Sequence, residues 1–335
     1  MIKIYNLNEN KKHQLNKGIL CMIDILDLNE EDTLIVIYEE SFAYIVDIFK
    51  NNLSKQNIYI THILIENTDA ETLNAIYDKH TTAKNLILLT KNSLTHHKHT
   101  KKAVLNGAKV LSCVNISKNI ILRAADFDYV LIEKITDIMS IRLENANKIK
   151  IINDGLSFSF KKEKRKLKVD KTKLTPFGQC NFPIGEVCVA PIEHSGNGMV
   201  KFDRIMVPYE ENILYLNNVI FEIKNGKIVD SKTDSAKKVF EHLSNFENGN
   251  ILGEFGIGTN PWTLFNSSIT ESEKCLGTVH LAFGANKSLF GENESLIHKD
   301  GIMQKPTVFF DNEKIIDKGN ILIEEIKEIV ENLDF

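Results

Sequence analysis

Short apolar runs separated by amphipathic stretches recur through the first 150 residues, and this rhythm restricts the fold more than any single motif does. Thr33 to Tyr38 (TLIVIY) reads as a buried strand. Ser41 to Gln56 places Phe42, Ile45, Val46, Ile48 and Phe49 at helical spacing, with Ser41 as its N-cap. Strands follow at Ile58 to Ile65, Asn85 to Thr90 and Ala108 to Ser112, with helices at Ala70 to Lys79 and Thr100 to Asn106 between them. Ser117 to Ala125, Tyr129 to Ile132, Ile135 to Asn145 and Lys148 to Ile152 complete the series. Strands that alternate with helices imply right-handed βαβ units and a parallel sheet covered on both faces. No GxGxxG or GxxxxGK[ST] follows these strands, so the rhythm alone assigns no nucleotide.

Beyond Leu156 the texture changes. Leu156 to Phe160 alternates like a strand, and Lys161 to Lys173 holds eight basic and two acidic residues in thirteen, which reads as a solvated hairpin or connection. Hairpins are expected at Glu222 to Val229, where Asn225-Gly226 suits a type I′ turn, and at Phe309 to Ile316, with a final helix at Ile321 to Glu331. The expected fold is therefore α/β: an N-terminal parallel-sheet α/β domain over 1–153, then a mostly β (α+β) metal-site domain over 154–335, divided near Asp154-Gly155. A length of 335 residues accommodates two such domains.

Charge and cysteine usage narrow the function classes. Forty-one Lys and Arg against 45 Asp and Glu leave a net charge of −4, which offers no field for nucleic acid or an anionic membrane and points to a small-molecule or small-peptide partner. Met1 to Asn10 lacks the pattern of a signal peptide, and no apolar run reaches the ~18 residues that span a bilayer. Cys21, Cys113, Cys180, Cys188 and Cys275 are scattered with no CxxC, which reads as reduced thiols in a cytoplasmic protein.

The unusual clusters lie in the second half. Glu186 heads a short apolar strand in PIGEVCVAP, where a carboxylate is costly unless it is paired or coordinating. Glu254 stands between glycines in LGEFGIGTNP, and His280 lies inside the apolar strand GTVHLAFG. His298 and Asp300 have the i, i+2 spacing that a strand projects from one face. Carboxylates with imidazoles suit divalent cations, and five N/O donors exceed the four of a closed structural zinc site, so a two-metal centre fits this set. Other residues carry plainer expectations. His96, His97 and His99 read as a solvated loop or helix start, Glu193 and His194 as groups that reach the metal pocket or cap a loop, Trp262 as a packing anchor or cleft residue, Glu273 and Lys274 as a surface ion pair or groups that orient the ligands, and Cys188 and Cys275 as buried inert thiols or thiolate ligands.

The order and flanks of GEVCVAP, LGEFGIGTNP, EKCLGTVHLAFG and HKDG resemble the metallo-aminopeptidase family that includes aminopeptidase T and aminopeptidase S. The pattern around Gly18 to Ser41 and Asn106 to Ala125 is similar to that family's α/β domain, so the resemblance spans roughly the whole chain. It implies that Glu186 bridges two metal ions (zinc, cobalt or manganese), with His280 and Asp300 on one and Glu254 and His298 on the other. It also implies a metal-dependent hydrolase of the exopeptidase type, an activated water as nucleophile, Glu254 as the proton acceptor, and a homodimer. Where the peptidases carry a tyrosine seven residues after the histidine, this chain has Lys287, which is expected to be catalytic. A compact branch resembles 2,5-dihydroxypyridine 5,6-dioxygenase, which implies one Fe(II) on His280, His298 and Asp300. A third expectation is a non-catalytic binding protein on the same scaffold.

Overall fold

A computed structural model describes residues 8–66, 70–79, 83–95, 97–209, 212–265 and 268–333. The chain divides into two compact units, Met1–Asp128 with Lys171–Ile184, and Tyr129–Asp170 with Gly185–Phe335.

The first unit contains α1 (Glu9–Leu26), β1 (Thr33–Glu39), α2 (Ala43–Leu53), β2 (Tyr59–Ile65), α3 (Ala70–Lys79), β3 (Asn85–Leu89), α4 (Lys98–Leu105), β4 (Lys109–Ser112), α5 (Lys118–Ala124) and β8 (Gln179–Asn181). Its strands form a parallel sheet in the order β2-β1-β3-β4-β8, as the βα rhythm predicts. β3 is buried along its whole length, and its NLILL run has no polar face because a parallel sheet is covered on both sides. Ser41 does not cap α2: a 3₁₀ turn over Glu40–Phe42 precedes the helix and moves its start to Ala43. Helix α1 was not among the expected elements. Asn8 caps it by accepting from the Lys11 N–H, and Leu15, Ile19, Met22 and Leu26 form its buried stripe.

The second unit begins with α6 (Tyr129–Asn145), followed by β5 (Lys148–Asn153), β6 (Leu156–Lys161), β7 (Leu167–Asp170), β9 (Glu186–Val189), β10 (Asn197–Phe202), β11 (Arg204–Tyr209), β12 (Asn212–Leu216), β13 (Val219–Lys224), β14 (Lys227–Ser231) and α7 (Asp234–Ser244). It continues with β15 (Leu252–Gly258), α8 (Ile269–Ser272), β16 (Val279–Gly284), β17 (His298–Met303), β18 (Thr307–Phe310), β19 (Glu313–Asp317), β20 (Asn320–Ile321) and α9 (Glu324–Glu331). Two sheets form, β14-β13-β10-β6-β5-β18-β19-β20 and β12-β11-β17-β16-β15-β9-β7. Their inner faces share one apolar core, where Phe160 meets Phe255 at 5.3 Å between ring centroids and Phe221 meets Phe283 at 5.9 Å. Both expected hairpins are present, and Asn225 and Gly226 turn at φ 47° and 71°.

The unit boundary departs from the expected division near Asp154-Gly155. Those two residues, at φ 50° and 77°, are the turn of the β5-β6 hairpin rather than a linker. Tyr129–Asn145 is one continuous helix whose Ile135, Met139 and Leu143 belong to the core of the second unit. Residues Lys171–Ile184 then return to the first unit and supply β8.

Gly18 marks the tightest contact of α1: a Cβ there would lie 1.9 Å from the backbone oxygen of Ile121 on α5. Gly18→Ala is therefore expected to lower stability by about 1–3 kcal/mol, read as an earlier unfolding midpoint in denaturant. An unchanged midpoint would show that α1 and α5 part at no cost.

Candidate metal centre

Strand register gathers the candidate ligands before any side-chain contact is considered. Residues opposite each other in an antiparallel pair share a face, and every second residue along a strand does too. Asp170 pairs with Glu186, Glu186 with Gly258, Cys188 and His280 with Gly256, Glu254 with Ala282, and Asp300 with Ala282. Asp170, Glu186, Cys188, Glu254, His280, His298 and Asp300 thus line one face of the sheet. The alternate residues Val187, Val189, Phe255, Ile257, Val279, Leu281, Phe283 and Met303 lie in the core on the other. Gly256 makes this possible: a Cβ there would stand 2.2 Å from Cε1 and Nε2 of His280, so the imidazole lies across the bare glycine backbone.

Glu254 is the carboxylate between the two imidazoles. Its Oε1 is 3.4 Å from His280 Nε2, and its Oε2 is 2.8 Å from His298 Nε2. Asp300 Oδ1 lies 3.3 Å from the same nitrogen of His298, and Glu186 Oε2 lies 3.7 Å from His280 Nε2. The donors therefore fall into two sets, Glu186, Cys188 and His280, and Glu254, His298 and Asp300, with ligand atoms within 4.8 Å of one another in each. Asp300 groups with His298 rather than with His280. Glu186, expected to bridge two ions, meets His280 with one oxygen and the Lys274 ammonium with the other.

Lys274 is the residue that sequence reasoning underweighted. The sequence allows Glu273 and Lys274 a surface pair or an orienting role, yet both side chains are buried, Lys274 completely. The ammonium pairs with Glu186, with Glu273 at 3.2 Å and with Asp170 at 3.9 Å. Burial works against ionising Glu186, but Lys274 and His280 outweigh it and hold the carboxyl below its usual range. Burial likewise opposes charge on Glu254, and hydrogen bonds from His280 and His298 drive its pKa well down. Glu273 goes the other way: burial and the Glu186 charge push it up to about 8 despite Lys274. Burial raises Asp170 to about 6 against the pull of Lys168 and Lys274. The Cys188 thiol is pushed well up by burial and by Glu186, so it stays protonated.

Lys287 is not brought to the cluster. Gly284, at φ 100°, ends β16, and buried Asn286 donates to Glu193 at 2.9 Å, which turns Lys287 outward to pair with exposed Glu294 at 3.3 Å. Glu193 is held by Arg165 at 2.8 Å and by the Glu292 N–H, so it anchors this loop instead of a ligand. The Trp262 N–H donates to Asn260 Oδ1 in the turn after β15, and the Cys275 thiol contacts the Glu271 carbonyl. His99 hydrogen-bonds Asn74 in the first unit, and His96 lies outside the described residues.

These residues fit a divalent cation. Glu186 Oε2 and His280 Nδ1 are buried and meet no hydrogen-bond partner among the described residues. His298 Nδ1 donates to the Ala285 carbonyl at 2.7 Å, so Nε2, which donates to Glu254 in this structure, is the nitrogen a metal would take in place of that proton. Gly256→Ala is expected to push His280 out of register and abolish metal retention while the far-ultraviolet circular dichroism spectrum stays native. Normal metal content in that variant would remove His280 from the centre. Burial lowers the pKa of His280, but the hydrogen bond to Glu254 and the charges of Glu186 and Glu254 outweigh it and raise it to about 9. A metal must displace that proton and the one that Asp300 and Glu254 hold on His298, whose pKa is raised as well, so affinity is expected to climb at least tenfold per pH unit from about pH 7 to about pH 9. A chelator competition series that is flat over that range would contradict this.

The model of the NicX family, 2,5-dihydroxypyridine 5,6-dioxygenase, matches residues 43–323. No curated protein sequence matches the chain. Among solved structures, 2,5-dihydroxypyridine dioxygenase from Pseudomonas putida KT2440 superposes with a TM-score of 0.77 at 13% identity, over 94% of this chain and 98% of that one. AmpT from Thermus thermophilus superposes with a TM-score of 0.67 at 12% identity, over 93% and 100%. Identities this low establish a shared fold, a parallel-sheet unit with large antiparallel sheets. The family match over most of the chain goes further: this protein is a member of the NicX, 2,5-dihydroxypyridine 5,6-dioxygenase, family.

Proposed function

We propose that this chain is a metal-dependent enzyme that binds one divalent ion, iron(II), on His280, His298 and Asp300, and opens a hydroxylated aromatic ring with dioxygen as co-substrate and oxidant. The observation that carries the reading is the contact between Lys274 and Glu186. A carboxylate that bridges two ions with one oxygen on each needs both free, and one oxygen of Glu186 is committed to a buried ammonium. Two imidazoles and Asp300 then form the 2-His-1-carboxylate set that leaves coordination positions open. The family match supports the same chemistry.

A bound metal would supply Lewis acidity and, as iron(II), a route for electrons from the substrate ring, which is oxidised, to dioxygen, which is reduced. The protein's own groups handle protons and position. Glu254 holds His280 and His298 with its two oxygens, and with those nitrogens turned to a metal the carboxylate would be free to accept the proton of a ring hydroxyl. The Ala285 carbonyl fixes the orientation of His298 through Nδ1. Lys274 keeps Glu186 ionised beside His280, and the core face of the sheet excludes water from behind.

A second reading, a two-metal exopeptidase hydrolase, is favoured by the position of Glu254 between the two imidazoles, with one oxygen toward each. Metal analysis of protein purified anaerobically without chelators separates them. About one iron per chain, with oxygen uptake on 2,5-dihydroxypyridine or a related diol, is the expected result. Two zinc, cobalt or manganese ions with release of amine from aminoacyl amides would establish the hydrolase instead. His298→Ala and Asp300→Ala are each expected to lose the metal, and retention by both would dismiss the assigned ligands.

A further inference from the structure

Arg204 opens β11 and lies in the same cross-sheet row as the metal centre. It pairs with Ile302 of β17, which in turn pairs with His280 of β16, so the three side chains share the face that carries His298 and Asp300. Two strand spacings put its Cα about 10 Å from that of His280. Arg204 is half-buried, and among the described residues its Nε and Nη1 are buried and meet no hydrogen-bond acceptor, which is costly for donors of a cationic group. The Arg204 Cζ sits 4.8 Å from the ring centroid of Phe265, a stack that immobilises the planar group. Glu186, Glu254, Asp300 and Asp170 on this face are committed to His280, His298, Lys274 or Lys168, while Glu273 pairs with Lys274 and Glu271 accepts from the Leu264 N–H.

We propose that Arg204, stacked on Phe265, is the recognition site for a carboxylate carried by the substrate. A fixed guanidinium fork takes a carboxylate through two parallel N–H donors, and an aromatic acid would span from this fork toward the metal ligands. The assignment of the occupant as the substrate rests on the proposed function, whereas the anion site itself does not.

The test is calorimetric binding of benzoate and of its uncharged isostere benzamide to zinc-reconstituted protein, with metal content measured on the same samples. The wild type is expected to bind benzoate at least tenfold more tightly than benzamide. Arg204→Met is expected to lose that preference with metal content and melting temperature retained, and Arg204→Lys to recover part of it, because lysine keeps the charge but not the fork. Equal affinities in the wild type would overturn the proposal, and so would an Arg204→Met protein that still prefers benzoate, since the carboxylate would then be held by the metal. Failure to load metal would sink the metal-centre reading alone, because benzoate preference is still measured on those samples. Should Arg204→Met not fold, the wild-type comparison and Arg204→Lys decide the matter.

Discussion

The second unit depends on a sheet that does opposite things on its two faces. Val187, Phe255, Ile257, Val279, Leu281 and Phe283 drive one face into the core, and that burial holds the strands in register. The same register aligns Glu186, Glu254, His280, His298 and Asp300 on the other face, where each charge is costly alone. A one-residue slip would place carboxylates in the core and valines at the site, so assembly of the site and stability of the unit are a single constraint.

Charge on the site face is organised in two tiers. The inner tier is an alternating chain of carboxylate and imidazole running from Glu186 through His280, Glu254 and His298 to Asp300. The outer tier is Lys274 with Asp170 and Glu273, which meets the inner tier at Glu186. In the low-dielectric interior, removing one partner leaves the next uncompensated, so the cluster responds to substitution as a network. The glycines of LGEFGIG serve the same network by leaving space: Gly256 accepts the face of His280, and Gly258 passes close under the Cys275 carbonyl, where a Cβ would lie 2.0 Å away.

Much of this was legible in the sequence, for identifiable reasons. Parallel-sheet strands are continuous apolar runs, so TLIVIY and NLILL announced themselves, and the i, i+2 spacing of His298 and Asp300 put them on one face without further information. Asn225-Gly226 specified its turn through backbone conformation alone. Long-range facts were not legible. The Asp154-Gly155 pair looks the same as a linker or as a hairpin turn, and only the pairing of β5 with β6 and β18 decides. Lys274 resembles any strand-flanking lysine until Glu186, almost ninety residues earlier, meets its ammonium. Counting seven residues from His280 leads to Lys287, but β16 ends at Gly284 and Lys287 pairs with exposed Glu294. Arg204 carried no motif at all, and what sets it apart is that two of its nitrogens meet no acceptor among the described residues.

The return of Lys171–Ile184 to the first unit has a consequence for biosynthesis. The edge of β4 is covered by β8, whose residues leave the ribosome only after α6 and β5 to β7 have been made. Until Gln179–Asn181 emerges, β4 presents an open edge of unpaired backbone groups. The first unit, although earlier in the chain, therefore finishes folding late, and a nascent chain stalled before residue 181 exposes a sticky sheet edge that the finished protein hides.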